Sequence, residues 1–253
     1  MDRMIYTALS GANQTLALQA VTANNLANVS TTGFKAQLAN FRSVPIAGTS
    51  LATRSFVSAS TPGADFTPGR LISTERTLDV ALSQNNWLAV TLPDGGEAYT
   101  RNGSLQISAQ GNLTLQGYPV VGEGGAITIP EHAQLSLAPD GTITALNAGD
   151  SPNATVSIGR LKIAHAEPSE IARGEDGLFR LSAKKIAESG GGPLPNDPQG
   201  RVMAGMLEES NVNPVQAMVT MINHARRFEM QMKEISHAEQ NEQKANQLLS
   251  LTS

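Results

Sequence analysis

Any catalysis in this 253-residue chain would rest on few side chains, for it holds four histidines and no cysteine. His132, His165, His224 and His237 never stand three or four residues apart, so no two share a helix face as a metal-binding pair would. Without cysteine there is no thiolate ligand, no thiol nucleophile and no disulfide. Glu75 and Asp79 are near enough in sequence to suggest the paired carboxylates of a glycosidase, yet their spacing along the chain does not set the separation such chemistry needs. No glycine-rich phosphate loop is present. The expectation is a chain that is not an enzyme and uses neither metal nor cofactor.

Charge narrows the partners. A formal net charge of -4, with only 16% of residues charged, is the opposite of the basic footprint that phosphate neutralisation demands, so no nucleic-acid partner is expected. The opening Met1-Asp2-Arg3-Met4-Ile5-Tyr6 lacks the basic-then-apolar order of a secretory signal, and no cleaved leader is expected. Polar residues interrupt every apolar run well short of the roughly 18 residues of a membrane span, which argues against membrane insertion. With 40% hydrophobic residues, the chain can still fill a sizeable core.

The elements expected to position the informative residues fall into an α+β order. From Asp2 to Val29 there is no proline, and Ile5, Leu9, Ala12, Leu16, Ala23 and Leu26 recur at three-and-four spacing, which predicts an amphipathic helix. Gln19 interrupts its stripe, and Ser30-Thr31-Thr32-Gly33 supplies a polar stop, with Gly33 relieving the backbone at the helix end. Asn24 and Asn28 share a face, where their amides are either simply solvated or bonded across a helix contact.

Residues 36–70 read as an extended connector, and 71–205 as a central all-β domain, barrel-like or sandwich-like. Its apolar runs, Leu78–Leu82, Trp87–Leu92, Ser104–Ile107 and Ala126–Ile129, are separated by Asp94-Gly95, Asn102-Gly103, Gly111-Asn112, Asp140-Gly141 and Asp176-Gly177, pairs that tolerate the positive φ of tight turns. Gly190-Gly191-Gly192-Pro193 reads as a flexible break. A second helix begins at Pro214, with Asn213 as cap and Gln216 three residues on. Along it Val215, Met218, Ile222, Ala225, Met232 and Ile235 form another apolar seam, and Phe228 fills the gap. A two-helix pairing leaves much of such seams uncovered; periodicity alone fits helices packed on their own domain, and fits as an alternative neighbouring subunits which, where contacts run head to tail, build a filament.

Two long stretches carry a family resemblance. Ala23-Asn24-Asn25-Leu26-Ala27-Asn28-Val29-Ser30-Thr31-Thr32-Gly33-Phe34-Lys35 resembles the amino-terminal signature of the flagellar basal-body rod and hook proteins. Gly205-Met206-Leu207-Glu208-Glu209-Ser210-Asn211-Val212-Asn213, followed by Met218, Ile222, Arg226, Phe228 and Glu229, is similar to the carboxy-terminal signature of that family. Thr77–Leu82 and Tyr99-Thr100-Arg101-Asn102-Gly103 look like its β-domain motifs, whereas Trp87-Leu88 departs from the glycine-phenylalanine often found there.

The resemblance implies a structural subunit of the rod, of the proximal part by its length and ends, with a distal-rod protein or a secreted wall-binding β protein as alternatives. It implies export through the flagellar type III apparatus, a periplasmic rod location, and partners that are other copies and neighbouring rod proteins. The N-terminal segment (1–35) and the C-terminal segment (206–253) would then form a coiled-coil-like helical layer with the β domain packed outside. Residues expected to serve assembly are Ile5, Leu9, Leu16, Asn24, Asn25, Leu26, Asn28, Gly33 and Phe34 at one end, and Leu207, Glu208, Ser210, Asn211, Val212, Val215, Met218, Ile222, Arg226, Phe228 and Glu229 at the other. Read from the residues alone, Arg226 and Glu229 are either an ion pair between subunits or simply a solvated helix face.

Overall fold

The computed structural model describes residues 2–39, 41–45, 55–59, 63–83, 85–147 and 155–250. The chain divides into two compact units, one of residues 1–28, 37–63 and 212–253, the other of residues 29–36 and 64–211.

The first unit is built on two helices, α1 (Asp2–Ala27) and a longer one, Pro214–Ser250. The longer helix starts where its cap dictates: the Asn213 side-chain oxygen accepts from the Gln216 amide at 3.1 Å, and its carbonyl accepts from Ala217 at 3.0 Å. The covered side chains of α1 include Ile5, Ala8, Ala12, Thr15, Gln19, Thr22 and Leu26. Those of the longer helix include Ala217, Met221, His224, Phe228, Gln231, Ile235 and Ala238. Both stripes step by alternating three and four residues, the repeat of a coiled-coil seam, and the two helices pack along one another. The seam mixes small and polar side chains with the larger apolar Ile5, Leu26, Met221, Phe228 and Ile235. At its middle the Thr15 hydroxyl lies 3.0 Å from Gln231 Oε1, and a Cβ on Gly11 would come within 3.0 Å of Gln231 Nε2.

Sequence periodicity merged two stripes into one here. Of the residues read as a single seam, Ala12, Leu26, Ala225 and Ile235 are covered, but Leu9, Leu16, Val215, Met218, Ile222 and Met232 are exposed. Thr15, Gln19, Thr22 and Gln231 occupy seam positions that an apolar pattern does not mark. Beside the helices, strands Phe41–Pro45 and Ser55–Ala59 form an antiparallel hairpin, the latter packing on α1.

In the second unit a five-stranded antiparallel sheet runs in the order Ile163–His165, Asn86–Thr91, Glu97–Thr100, Phe179–Leu181, Ile171–Arg173. Strand Asn86–Thr91 sends Leu88 and Val90 into one core, with Leu105, Leu113, Leu161 and Ile163, and Trp87 and Ala89 into another, with Tyr99, Phe179 and Leu194. A sheet buried on both faces explains why Trp87-Leu88-Ala89-Val90 is a continuous apolar run. In the second core Trp87 stacks obliquely on Phe179 at 4.7 Å between ring centres, with Phe66 edge-on at 6.0 Å. Smaller antiparallel sheets surround these cores, so the arrangement is neither a single barrel nor two facing sheets.

Late chain closes early chain. Val202–Ala204 pairs with Val80–Leu82, and Met206–Glu208 with Leu71–Ser73. The region is also not purely β, because Ala183–Ser189 forms a short helix, α2; the longer carboxy-terminal helix is α3. Ser182 caps α2 by accepting from Lys185, and Gly190, at φ 75, ends it. The glycines read as a flexible break therefore begin as a helix cap. The expected run Ala126–Ile129 is likewise no continuous strand: Ala126 pairs with Val121, and Thr128 makes only an isolated bridge to Asn112.

Glycines 95, 111, 141 and 177 adopt the positive φ that their turn pairs imply, but Gly103 does not. Its constraint is space: a Cβ there would sit 1.6 Å from the Val80 carbonyl oxygen. Because backbone rather than a flexible side chain blocks the site, Gly103→Ala is expected to destabilise the β unit by more than about 3 kcal/mol. Denaturant unfolding followed through Trp87 fluorescence measures this, with Gly95→Ala, which meets no atom within 4 Å, as the comparison for a positive-φ cost alone.

Candidate assembly surfaces and the junction of the two signatures

Within the β unit the two signature stretches meet around one carboxylate. Glu208 is 1% exposed and faces two cations that are hardly more accessible, Lys35 at 2% and Arg101 at 5%. Its Oε1 accepts from Lys35 Nζ at 2.6 Å and from the Gly69 amide at 2.9 Å. Its Oε2 accepts from Arg101 Nε at 2.8 Å and Nη2 at 2.5 Å. Arg101 uses its remaining donors on the carbonyls of Leu82, Ser83 and Asn86, and Lys35 also reaches the Thr67 carbonyl at 2.8 Å. Every member of the cluster is hydrogen-bonded, the condition under which buried charge is tolerated.

Burial opposes ionisation of Glu208, yet Arg101 and Lys35 outweigh it and hold the carboxyl pKa below its ordinary 4.5. For Lys35 burial is the larger influence and lowers its pKa, against the pull of Glu208. The adjoining backbone closes the same junction: the Gly33 amide donates to the Glu208 carbonyl at 2.7 Å. Gly33 is not a cap of α1, which ends at Ala27; it holds φ 69 where a Cβ would lie 2.3 Å from the Arg101 carbonyl carbon. Phe34 is buried beneath the Arg173 guanidinium, 4.2 Å above its ring.

The expected site residues thus separate into three groups. Gly33, Phe34, Leu207, Glu208 and Asn211 come together in the β unit, where Ser210 is half-buried. In the helical unit Ile5, Leu26 and Phe228 lie in the covered stripes, and Val212 is half-buried. Leu9, Leu16, Asn24, Val215, Met218, Ile222, Arg226 and Glu229 are exposed. Asn24 and Asn28 bond to one another at the end of α1, Asn28 Nδ2 donating to the Asn24 carbonyl at 2.9 Å. Asn25 makes the longer-range contact, its amide exchanging hydrogen bonds of 2.7 and 2.9 Å with the Gln37 main chain.

Sequence reading missed the roles of Lys35 and Arg101. The available signal was Lys35 as the first charge after Arg3, directly behind a long uncharged stretch. His224 was missed as a seam residue; it is buried with Nδ1 unpartnered, and burial together with Arg227 lowers its pKa, so the seam holds it neutral. The candidate carboxylate pair is not poised for catalysis. Asp79 is buried and engaged with Arg76 at 3.1 Å, while Glu75 is exposed, with φ 59. Among the described residues no cluster of three metal-ligating side chains occurs, and no helix is long and apolar enough to cross a membrane.

Comparison with known proteins matches three stretches of the chain. Residues 5–35 match the flagella basal body rod protein family, 81–145 the D1 domain of flagellar hook protein FlgE/F/G, and 203–248 the C-terminal region of flagellar basal body rod FlgEFG proteins. The chain belongs to the flagellar basal-body rod protein family. It is 58% identical, over the full length of both chains, to the flagellar basal-body rod protein FlgF of Salmonella typhimurium and to that of Escherichia coli. The FlgG protein of Buchnera aphidicola from Acyrthosiphon pisum is 32% identical over 90% of this chain and 92% of its own. Among these relatives the likeness is strongest to FlgF.

Glu208→Gln would leave two buried cations facing a neutral amide, and is expected to cost about 3–5 kcal/mol of β-unit stability. A carboxyl whose pKa is lower folded than unfolded contributes stability that is complete above the unfolded value and lost as pH falls toward the folded one. Calorimetry from neutral pH down through 4.5 should therefore show wild-type stability declining below that point, with the decline shallower in Glu208→Gln.

Proposed function

We propose that this chain is a structural, non-catalytic subunit of the proximal flagellar rod, joined to copies of itself and to neighbouring rod proteins through the uncovered apolar stripes of α1 and α3. One observation carries the reading: polar Thr15, Gln19, Thr22, His224 and Gln231 occupy positions of the seam inside the helix pair, and a second set of large apolar side chains lies outside it. On α1 the exposed Tyr6, Leu9, Asn13, Leu16, Ala20, Ala23 and Ala27 repeat the three-and-four stepping one residue along from the covered stripe. On α3 the exposed Val215, Met218, Ile222 and Met232 follow the same stepping roughly a third of a turn from the covered stripe. A contiguous apolar surface on a water-soluble chain marks an interaction face.

Two such faces at different azimuths favour contacts that continue from subunit to subunit, as in a helical tube. Between Met4 and Phe34 no residue is charged, so closing a helix contact along α1 desolvates no ion. The helices of many copies then make a coiled-coil-like inner layer, with the β units outside it, and the assembled tube passes motor torque toward the hook. Family membership supports export through the flagellar type III apparatus without a cleaved signal, and a periplasmic location. A wall-cleaving activity lacks support, given the pairing of Asp79 with Arg76.

Leu16, 45% exposed, and Ile222, 53% exposed, separate assembly from folding. Leu16→Asp and Ile222→Asp each place a carboxylate in a subunit contact at a cost of several kcal/mol there, but little in the free chain. The thermal unfolding of the purified variants should match wild type, while their amount in isolated basal bodies drops and the cells lose motility. Wild-type incorporation of either variant sinks the assignment of these stripes.

A further inference from the structure

The chain passes between its two units at 28/29, 36/37, 63/64 and 211/212. Three of the four segment ends that enter the β unit are held by one side chain. Asn211 Oδ1 accepts from the Ala36 amide at 2.7 Å, and Nδ2 donates toward the Asp65 carbonyl at 2.8 Å and the Thr67 carbonyl at 3.1 Å. The Asn211 amide donates to the Phe34 carbonyl at 3.3 Å, and the Asp65 amide to the Ala36 carbonyl at 2.8 Å. The fourth end, at Val29, leads within a few residues to Gly33 and its bond to the Glu208 carbonyl.

We propose that Asn211 is a force-transmitting tie, cross-bracing the entering segments so that load carried along the chain from the helices reaches the β unit through all of them together. The inference deepens the rod reading and rests on it for its biological meaning, since only a subunit under torque needs such a tie. Its physics stands apart from that reading. A segment held alone is peeled from a sheet one hydrogen bond at a time, each worth only about 1 kcal/mol net. Segments bonded to one another share the load, and several bonds must fail at once. Asparagine suits the position because one planar amide both accepts and donates, bonding the Ala36 segment and the Asp65–Thr67 segment from its own. Leu207 and Glu208 hold the same stretch by burial and charge, but each acts on the interior of the unit; Asn211 is its last residue before the crossing.

The absence of cysteine makes the test direct, because introduced thiols are the only attachment points. Handles at Ala20 and Ser136, both exposed, apply force across the crossings; handles at Gln106 and Lys184, both exposed, load the β unit internally. At a fixed force, Asn211→Ala is expected to rupture at least about fivefold sooner than wild type on the first axis, the factor expected for loss of one hydrogen bond, and to stay near wild type on the second. Equal lifetimes on the first axis, or equal shortening on both, overturns the tie and leaves Asn211 an ordinary stabilising residue. Asn211→Asp, which keeps the acceptor for Ala36 but loses both donations, is read on the same axes should the alanine variant not fold, with the same outcome overturning the proposal. Isolated basal bodies are probed for the chain in parallel. A shortened first-axis lifetime in a chain absent from basal bodies refutes the rod reading and leaves the tie standing.

Discussion

A single buried carboxylate with two buried cations is the constraint on which the β unit depends. Glu208 arrives late in the chain, whereas Lys35 and Arg101 arrive early, so the interior is electrically closed only when the carboxy-terminal signature returns to the amino-terminal one. Two cations sharing an interior with no anion would be among the costliest arrangements a small unit could hold. The pairing of Met206–Glu208 with Leu71–Ser73 and of Val202–Ala204 with Val80–Leu82 brings Glu208 to its place, and the Gly33 bond to its carbonyl fixes the other signature beside it. Gly33 and Gly103 follow from this closeness. Each stands where backbone approaches backbone too nearly for a side chain, one against Arg101 and one against Val80.

The helical unit obeys a different economy of side chains. Its internal seam sets alanine, threonine and glutamine among Ile5, Leu26, Met221, Phe228 and Ile235, which allows a hydrogen bond between Thr15 and Gln231 and buries less apolar area than an all-apolar seam. Helices of this length draw most of their stability from packing of an apolar face rather than from propensity. The face best able to supply it, with Leu16, Ile222 and their neighbours, is open in the single chain. Under the proposed function, other subunits would cover that face, and membership of the flagellar basal-body rod family is in keeping with this.

Much of the fold was legible because its signals are local. Asn213, Pro214 and Gln216 marked the start of the long helix by capping chemistry alone, and the Asp-Gly pairs at 94, 140 and 176 marked real turns. What escaped was set by contacts distant in sequence. Asn102-Gly103 has the composition of a turn, yet its glycine answers to Val80, more than twenty residues earlier. The covered helix stripes were hidden because polar residues occupy seam positions, so an apolar periodicity count joined two neighbouring faces into one. Family resemblance singled out Glu208 and Asn211 as members of a motif, but not what they hold. Their partners, Lys35, Arg101, Ala36 and Asp65, lie over a hundred residues away and carry no spacing signal.

The central claim is that the two helices complete their packing only in the assembled rod, while the β unit is complete in the single chain. Amide hydrogen exchange, compared residue by residue between the purified monomer and the same chain in isolated basal bodies, tests this most directly. The account predicts that amides of α1 and α3 exchange readily in the monomer and become strongly protected in the basal body, while those around Leu88, Tyr99 and Glu208 are protected to the same degree in both. Helix amides already as protected in the monomer as those of the β unit, and unchanged on assembly, would contradict it.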